Sequence, residues 1–386
     1  MYSVGQYVRL ETRGRRSGKI HPVIVRYVTY DGRIVIFPQT GGRQDWVANV
    51  LADPKVKVFS DGKVVEGVAS PAKATSLKDP VLSAFTRKYG DAEVRKKYWG
   101  MIRYFDIKPT SERPSDYYEF VYGDLEAAFD GVAEDYDRHI LGNPINLWLR
   151  NRSVALMSDL FRPGETVLEV GCGTGTETLA LARRGIRVIA SDVSSKMIGV
   201  LRRKAEAEGL TDRVIPLQSR PYQLGESVRR LGYAKVDGAY STYGAINTDP
   251  RLADLFATLH SLIRDRGTLV LGVWNKYCLF EIAGYTLRMK PSMTVARLRN
   301  PVPIGKSRFC ISTNAFSVPS LGHLISKFFR LESVRGVGIL LPPSNMTQYL
   351  PPARLEKFLK AVELNLEDKF PFSRFGDHFL AAYRRI

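Results

Sequence analysis

Three alternating glycines and a following aspartate form a group of residues that could hold a nucleoside. Residues 167–175 read Val-Leu-Glu-Val-Gly-Cys-Gly-Thr-Gly, and Asp192 ends the next apolar run. A carboxylate at the carboxyl end of a strand can accept hydrogen bonds from a ribose diol. Glycines let the backbone approach a ligand without Cβ clashes. These residues therefore predict a nucleoside site at the carboxyl edge of a sheet.

The spacing of the glycines distinguishes between nucleoside cofactors. A dinucleotide site places its third glycine three residues after the second, so that a helix N-terminus can bind a pyrophosphate. Here Gly171, Gly173 and Gly175 alternate, and Glu169 precedes them. A carboxylate in this place repels a phosphate and favours the ammonium group of an amino acid. The pattern fits S-adenosylmethionine better than NAD.

Alternating strands and helices must position these residues. Beyond about residue 123 the sequence predicts buried strands at residues 167–170, 188–190, 214–217, 236–240 and 268–273, with helices between them. Such alternation is typical of a parallel sheet with right-handed crossovers. Residues 329–341 and 378–383 are expected to add the closing antiparallel strands.

These sequence segments resemble a known family. Residues 126–386 are similar to class I S-adenosylmethionine-dependent methyltransferases that act on small molecules and lipids, and this resemblance implies a Rossmann-like α/β fold with a seven-stranded sheet. Residues 129–137 resemble the segment that closes over the cofactor, while 218–220 and 236–247 match later family segments. The cofactor-binding candidates are Tyr136, Glu169, Gly171, Cys172, Gly173, Gly175, Asp192, Val193, Met197, Gln218, Ser219 and Ser241.

Methyl transfer from a sulfonium asks the protein to align the nucleophile and exclude water. A base is needed only if the acceptor must lose a proton. The candidate catalytic residues are His139, three residues after Tyr136, and Tyr243, at the edge of the fourth strand. The alternative roles are helix capping for His139 and packing for Tyr243, and His378 is interpreted as structural. No cluster has metal-ligand spacing, so no metal is predicted.

The first 115 residues have a different pattern. Short strands are predicted at residues 7–12, 21–30, 33–38, 56–60 and 63–69, and Asp31-Gly32 and Asp61-Gly62 are typical hairpin turns. This pattern predicts a small barrel, and residues 109–115, rich in Pro, Ser and Thr, are expected to be the linker.

This N-terminal segment resembles the split β-barrel family of deazaflavin-dependent nitroreductase-like proteins, through residues 12–19, 40–43 and 46–49. The resemblance implies that the domain binds a flavin or deazaflavin. The candidates for anion or cofactor binding are Arg13, Arg15, Arg16, Ser17, Lys19, Gly41 and Gly42. The alternatives are a solvated hairpin turn and a structural or dimerising domain.

The expected organisation is two domains, residues 1–115 and 116–386, with an insertion around 275–324. The insertion is interpreted as a substrate lid, with an extra packing layer as the alternative.

The net charge of +18 is spread over both halves, which indicates general surface character, and no nucleic-acid recognition motif accompanies it. No signal peptide or membrane-spanning stretch is expected, and three scattered cysteines favour a reducing cytoplasm. Proteins of the split-barrel family commonly pair as dimers, so the resemblance implies a homodimer through the barrel.

The sequence predicts an S-adenosylmethionine-dependent methyltransferase that acts by in-line displacement on a small-molecule or lipid-like acceptor. Three alternatives stay open at this point. In the first, the N-terminal domain binds a flavin or deazaflavin and performs a reduction, so that the protein is bifunctional. The others are an RNA methyltransferase and a methyltransferase fold that serves only for binding.

Overall fold

A computed structural model describes residues 7–38, 44–60, 63–73, 79–89, 103–114, 117–289, 291–298, 302–304 and 311–386. The chain divides into two units. The first comprises Met1–Asp124 and Pro303–Ile311, and the second comprises Leu125–Val302 and Ser312–Ile386. Among the described helices, none has both the length and the apolar composition needed to cross a bilayer.

The first unit is built on a closed barrel with the strand order β1-β2-β3-β6-β5-β4, which confirms the predicted barrel. Its antiparallel strands bury a core that includes Leu10, Ile36, Val58 and Ile107. The strands are β1 (Tyr7–Arg13), β2 (Ile20–Tyr30), β3 (Arg33–Ile36), β4 (Lys55–Ser60), β5 (Lys63–Lys73) and β6 (Arg103–Pro114), and the helices are Asp45–Ala52 and Pro80–Tyr89.

The expectation of a linker over residues 109–115 is wrong for residues 109–114, which belong to β6. This strand pairs with both β3 and β5 and thereby closes the barrel. Pro109 faces Gly67 where the β5–β6 register shifts, and Thr110 Oγ1 donates to the Glu66 carbonyl at 3.0 Å. A bulge tolerates a proline because the ladder there does not require its missing N–H. Composition alone therefore misread this strand.

The second unit carries a seven-stranded sheet with the order β14-β15-β11-β10-β7-β8-β9, which confirms the predicted α/β fold. The β15 strand runs antiparallel to β11 and β14, whereas β7 to β11 pair in parallel. The strands are β7 (Thr166–Val170), β8 (Arg187–Asp192), β9 (Val214–Gln218), β10 (Val236–Ser241), β11 (Ile263–Trp274), β14 (Phe329–Val337) and β15 (His378–Arg385). A further small sheet pairs β12 (Val302–Ile304) with β13 (Ile311–Thr313).

Helices cover both faces of this sheet, and two apolar layers pack between them and the strands. Residues 131–135 separate two helices, because the first ends at Asp130 and the next begins at Tyr136. The α-helices are Tyr117–Asp130, Tyr136–Leu141, Pro144–Leu160, Thr176–Ala182, Ser195–Ala207, Leu224–Arg230, Ala245–Thr248, Leu252–Leu262, Leu279–Leu287, Pro291–Thr294, Val318–Ile325 and Ala353–Leu366.

Candidate functional site

The turn after β7 requires glycine because its backbone has positive φ angles and because neighbouring side chains leave no room for a Cβ at Gly175. Gly171, Gly173 and Gly175 have φ angles of 76°, 53° and 83°, which L-residues rarely adopt. A Cβ at Gly175 would lie 2.1 Å from Leu201 Cδ1, whereas a Cβ at Gly173 would meet only Tyr136 Cε1, at 3.8 Å. The backbone at Gly173 therefore borders a space beside the Tyr136 ring, and a ligand could approach the chain there.

Asp192 is fixed at the end of β8 by the backbone around it. Its Oδ2 accepts a hydrogen bond from the Gly173 N–H at 2.9 Å, and its Oδ1 accepts one from the Ser194 N–H at 2.9 Å. Burial raises the pKa of the Asp192 carboxyl, and the backbone N–H groups of Ser194 and Gly173 oppose that shift. The carboxylate is thus oriented beside the glycine turn, with lone pairs left for hydroxyl donors.

Glu169 is buried one strand away, at the end of β7, with 1% of its surface exposed. Its Oε2 accepts hydrogen bonds from the Thr178 hydroxyl and, at 2.7 Å, from the Tyr240 hydroxyl. Burial, followed by the nearby Glu177, raises the pKa of Glu169 to about 8. Its charge therefore changes close to neutral pH, where a bound cation would favour the ionised form.

A buried ion pair between Arg150 and Glu177 supports Tyr243, a further candidate at the carboxyl edge of the sheet. Arg150 donates to Glu177 Oε2, and the Arg150 guanidinium lies 4.1 Å from the centre of the Tyr243 ring. The Tyr243 hydroxyl donates to the Asn146 carbonyl at 2.7 Å. Burial raises the pKa of Tyr243 well above its ordinary value. Tyr243 is therefore built to stay protonated and to position its neighbours, and it is poorly suited to act as a base.

The helix Tyr136–Leu141 is attached directly to the glycine turn. Thr174 Oγ1 donates to Asp137 Oδ1, and Lys204 Nζ lies 2.8 Å from Asp137 Oδ2 and 2.9 Å from the Thr174 carbonyl oxygen. Sequence reasoning did not single out Asp137, although it lies in the segment expected to close over the cofactor. His139, on the same helix, is exposed, and its Nδ1–H donates to the Asp135 carbonyl at 2.9 Å.

Strands β8 to β10 bring the remaining candidates to the same edge. The Ser219 N–H donates to the Asp192 carbonyl at 3.0 Å, and Gln218 Nε2 lies 3.3 Å from the Val193 carbonyl. Ser241 Oγ donates to the Val170 carbonyl at 2.8 Å. Met197 is buried, and its backbone N–H donates to Ser194 Oγ at 3.1 Å. Burial raises the pKa of the Cys172 thiol well above its ordinary value, so this thiol is inert.

The basic turn of the barrel is a separate candidate site, in the first unit. Arg13 donates to the Gly18 carbonyl at 3.2 Å, while Arg15 uses both its backbone N–H and Nη1 to reach Asn49 Oδ1 at 3.2 and 3.3 Å. Ser17 Oγ lies 2.9 Å from His21 Nε2. The side chains of Arg16 and Lys19 are also exposed, and Gly41 and Gly42 lie outside the described residues.

Comparison with known families agrees with this division of the chain. Residues 167–267 match a family model described as a methyltransferase domain. Residues 3–97 match one described as F420H(2)-dependent quinone reductase. The chain joins a methyltransferase domain to a domain of the F420H(2)-dependent quinone reductase family. Both resemblances in the sequence are thereby confirmed.

Relatives of the methyltransferase domain cover it only in part. A demethylmenaquinone methyltransferase of Thermobifida fusca is 39% identical over 92 residues, which are 23% of this chain and 37% of the relative. One from Beutenbergia cavernae is 32% identical over 162 residues, 39% of this chain and 58% of the relative. An S-adenosyl-L-methionine-dependent Diels-Alderase of Neonectria sp. is 31% identical over 86 residues, 22% and 35% of the two chains. The chain spans less than two thirds of each relative's length.

Proposed function

We propose that the methyltransferase domain binds S-adenosylmethionine at the edge formed by the glycine turn and Asp192, and transfers its methyl group to a small-molecule or lipid-like acceptor. The observation that carries this proposal is the Asp192 carboxylate, held by the Gly173 N–H next to the space that a side chain at 173 would enter. In that space Asp192 would accept hydrogen bonds from the ribose, and Glu169 would face the ammonium group.

The other residues at this edge would bind and shield the cofactor. Val193 and Met197 would flank the adenine, with Gln218 and Ser219 beside it, and Tyr136 would cover the turn. The bound cofactor supplies an electrophilic methyl group on sulfur. The protein then contributes mainly alignment and exclusion of water, for which Tyr243, with its ring against Arg150, is a positioning residue. The role of His139 stays a prediction.

Calorimetry with S-adenosylmethionine tests the cofactor site. Asp192→Ala removes a charge-assisted acceptor, and we expect it to weaken binding at least about tenfold. The matched control is Asp212→Ala, because Asp212 is an exposed aspartate in a surface ion pair with Arg213. An unchanged affinity in Asp192→Ala, or a wild-type protein that binds no S-adenosylmethionine, would refute the assignment.

We propose a quinol as the acceptor class, since both halves of the chain have relatives named for quinone chemistry. Two-electron reduction of a quinone gives a hydroquinone, whose ring carbons and hydroxyls are electron-rich and can attack a methyl cation equivalent. The barrel domain would perform this reduction with a bound deazaflavin or flavin, which makes the protein bifunctional. RNA is the weaker alternative.

Mass spectrometry of the products tests the acceptor class. Demethylmenaquinone is incubated with S-adenosylmethionine and the protein, with and without dithionite as reductant. We expect a product one methylene heavier only when the quinone has been reduced. Equal methylation of the oxidised quinone would contradict the quinol proposal, and so would methylation of bulk RNA with none of the quinol. A visible absorbance band in the purified protein would support a flavin in the barrel.

Four further expectations stay proposals. We propose a substrate lid around residues 275–324, where Leu287 is 84% exposed. We also propose a domain boundary at residues 115–116, which lie outside the described residues, whereas the two compact units divide after Asp124. A homodimer through the barrel can be tested by light scattering. A cytoplasmic location is proposed because the described cysteines Cys172 and Cys278 are buried free thiols, which a reducing compartment preserves.

A further inference from the structure

A buried ion cluster lies at the start of β15, outside the residues assigned so far. Arg297, with 5% of its surface exposed, donates through Nε and Nη2 to both carboxylate oxygens of Glu281, at 2.7 and 2.8 Å. The same Nη2 donates to Asp377 Oδ1, and the guanidinium lies 4.5 Å from the centre of the Trp274 ring. Asp377 is thus an oriented carboxylate that solvent does not reach.

The second oxygen of Asp377 fixes a histidine. His378 Nδ1 lies 3.0 Å from Asp377 Oδ2. Although burial opposes ionisation, Arg297 and His378 hold the pKa of the Asp377 carboxyl well below its ordinary value. An ionised carboxylate can only accept, so Nδ1 must carry the proton. In neutral imidazole this leaves the lone pair on Nε2, and no hydrogen bond from a described residue reaches that nitrogen.

The imidazole lies at the edge where the cofactor candidates meet. Because β15 is antiparallel to the strands beside it, its first residue, His378, pairs with Trp274, the last residue of β11. The His378 ring is 5.9 Å from the Tyr243 ring, centre to centre. Leu380, two residues on and therefore on the same face, packs in the apolar layer that contains Tyr240. His378 thus shares an edge and a sheet face with the proposed methyl-transfer site.

We propose that His378, oriented by Asp377 and Arg297, is the general base that removes a proton from the methyl acceptor. This inference rests on the proposed function. The proton of an acidic X–H group passes to His378 Nε2, and the electron pair left on the acceptor forms the new bond to the methyl carbon. The sulfur–carbon bond breaks with its pair staying on sulfur, which gives neutral S-adenosylhomocysteine. The imidazolium then returns its proton to water.

The geometry reverses the interpretation made from the sequence, which named His139 as the catalytic candidate and took His378 to be structural. The Nδ1–H of His139 donates to the carbonyl of Asp135, the residue before its exposed helix, and no buried carboxylate among the described residues orients the ring. His378 is a half-buried imidazole whose tautomer is set by an ionised, buried partner. A general base positioned in this way typically contributes about 10²- to 10⁴-fold to the rate.

Kinetics of His378→Gln and His378→Asn test the base. With dithionite-reduced demethylmenaquinone as the acceptor probe, we expect kcat to fall at least about 100-fold. The Kd for S-adenosylmethionine from calorimetry should change less than about twofold, since His378 is assigned to the acceptor. His323→Gln, at an exposed histidine on the helix Val318–Ile325, should behave as wild type. An unchanged kcat would overturn the proposal. So would a fall in kcat that is matched by an equal rise in the Kd for S-adenosylmethionine.

A second readout needs neither acceptor nor cofactor. Nitrogen-15 NMR of the imidazole, assigned by its loss in His378→Gln, should show that the neutral ring is the Nδ1-protonated tautomer. Asp377→Asn should shift the population toward the Nε2-protonated form, whereas Asp254→Asn, at an exposed helix position, should not. An Nε2-protonated tautomer in the wild type would overturn the base. Absence of S-adenosylmethionine binding in wild type would instead overturn the proposed function, which separates the two failures.

Discussion

The glycine turn of the methyltransferase domain and the basic turn of the barrel were both singled out in the sequence, yet the structure builds them differently. Around residues 171–175 the charged groups are buried and each is held by named partners, as Glu169 is by Thr178 and Tyr240. Around residues 13–19 the side chains are exposed, with 61% of the Arg13 side chain accessible. The first turn is a preorganised site, whereas the second is an open, charged surface.

This difference has an energetic consequence. A buried polar group that loses its partner costs about 1–3 kcal/mol, whereas an exposed ion pair contributes about 0–1 kcal/mol. Substitutions at the glycine turn should therefore change stability and binding together. Substitutions at the basic turn should change binding of an anion with little effect on stability.

The largest effect is expected for Gly175→Ala. The φ of 83° costs an L-residue about 1–2 kcal/mol, and the new Cβ would overlap Leu201 Cδ1 at 2.1 Å. Overpacking of this kind adds about 1–3 kcal/mol. Gly209→Ala is the matched control, because Gly209 has a φ of 64° and no neighbour within 4 Å of its Cβ position. Equal losses of unfolding free energy in urea for the two variants would show that the turn is not tightly packed.

The glycine turn at residues 171–175 and the position of Asp192 could be predicted because local sequence dictates them. A strand, a glycine turn and an acid at the next strand end are adjacent in the chain and need no long-range information. The Arg150–Glu177 pair and the Arg297–Asp377–His378 cluster could not be found in this way. Arg150 lies 27 residues before Glu177, and Arg297 lies 80 residues before Asp377. Only the packing of the helices onto the sheet shows that these charges are buried together. The strand β6 was missed since its prolines resemble a linker.

The second prediction concerns the pH dependence of stability at Glu169. Burial, followed by Glu177, raises its pKa to about 8, above that of the unfolded chain. The folded state therefore holds a proton that the unfolded state releases, so this stabilisation is complete below the unfolded pKa of about 4.3. It is lost as pH rises through about 8. We expect the Tm of the ligand-free protein to fall over this window, and Glu169→Gln to flatten that part of the profile.

Cofactor binding should show the opposite dependence on the same proton. If Glu169 binds the ammonium group of S-adenosylmethionine, it must ionise, so affinity should weaken about tenfold for each pH unit below about 7. Calorimetry at pH values from about 6 to about 7 gives the Kd at each pH and thus the slope. The Glu169→Gln variant should show no such slope. A Kd independent of pH in the wild type would place the ammonium away from Glu169.

A smaller effect is expected at the contact between the helix Tyr136–Leu141 and the turn. Asp137→Asn weakens the pair with Lys204, whose side chain is 28% exposed, so solvent screening limits the cost to about 0.5–1 kcal/mol. We expect the Kd for S-adenosylmethionine to rise about two- to fivefold. Asp135→Asn is the control, since the exposed Asp135 side chain forms an ion pair with Arg138, away from the glycine turn. Equal effects of the two variants would mean that Asp137 does not hold the helix over the turn.

The smallest effect on stability is expected at the basic turn of the barrel. Arg13→Ala removes a hydrogen bond to the Gly18 carbonyl and a 3.6 Å ion pair with Asp53, both at the surface. The unfolding free energy should change by less than about 1 kcal/mol. If this turn binds the phosphate of a flavin, the Kd for flavin mononucleotide should rise several-fold, and the difference should shrink at high salt because ions screen an exposed site. Arg33→Ala, at another exposed arginine of the barrel, should leave that Kd unchanged. Equal flavin binding in the Arg13 and Arg33 variants would identify residues 13–19 as an ordinary solvated turn.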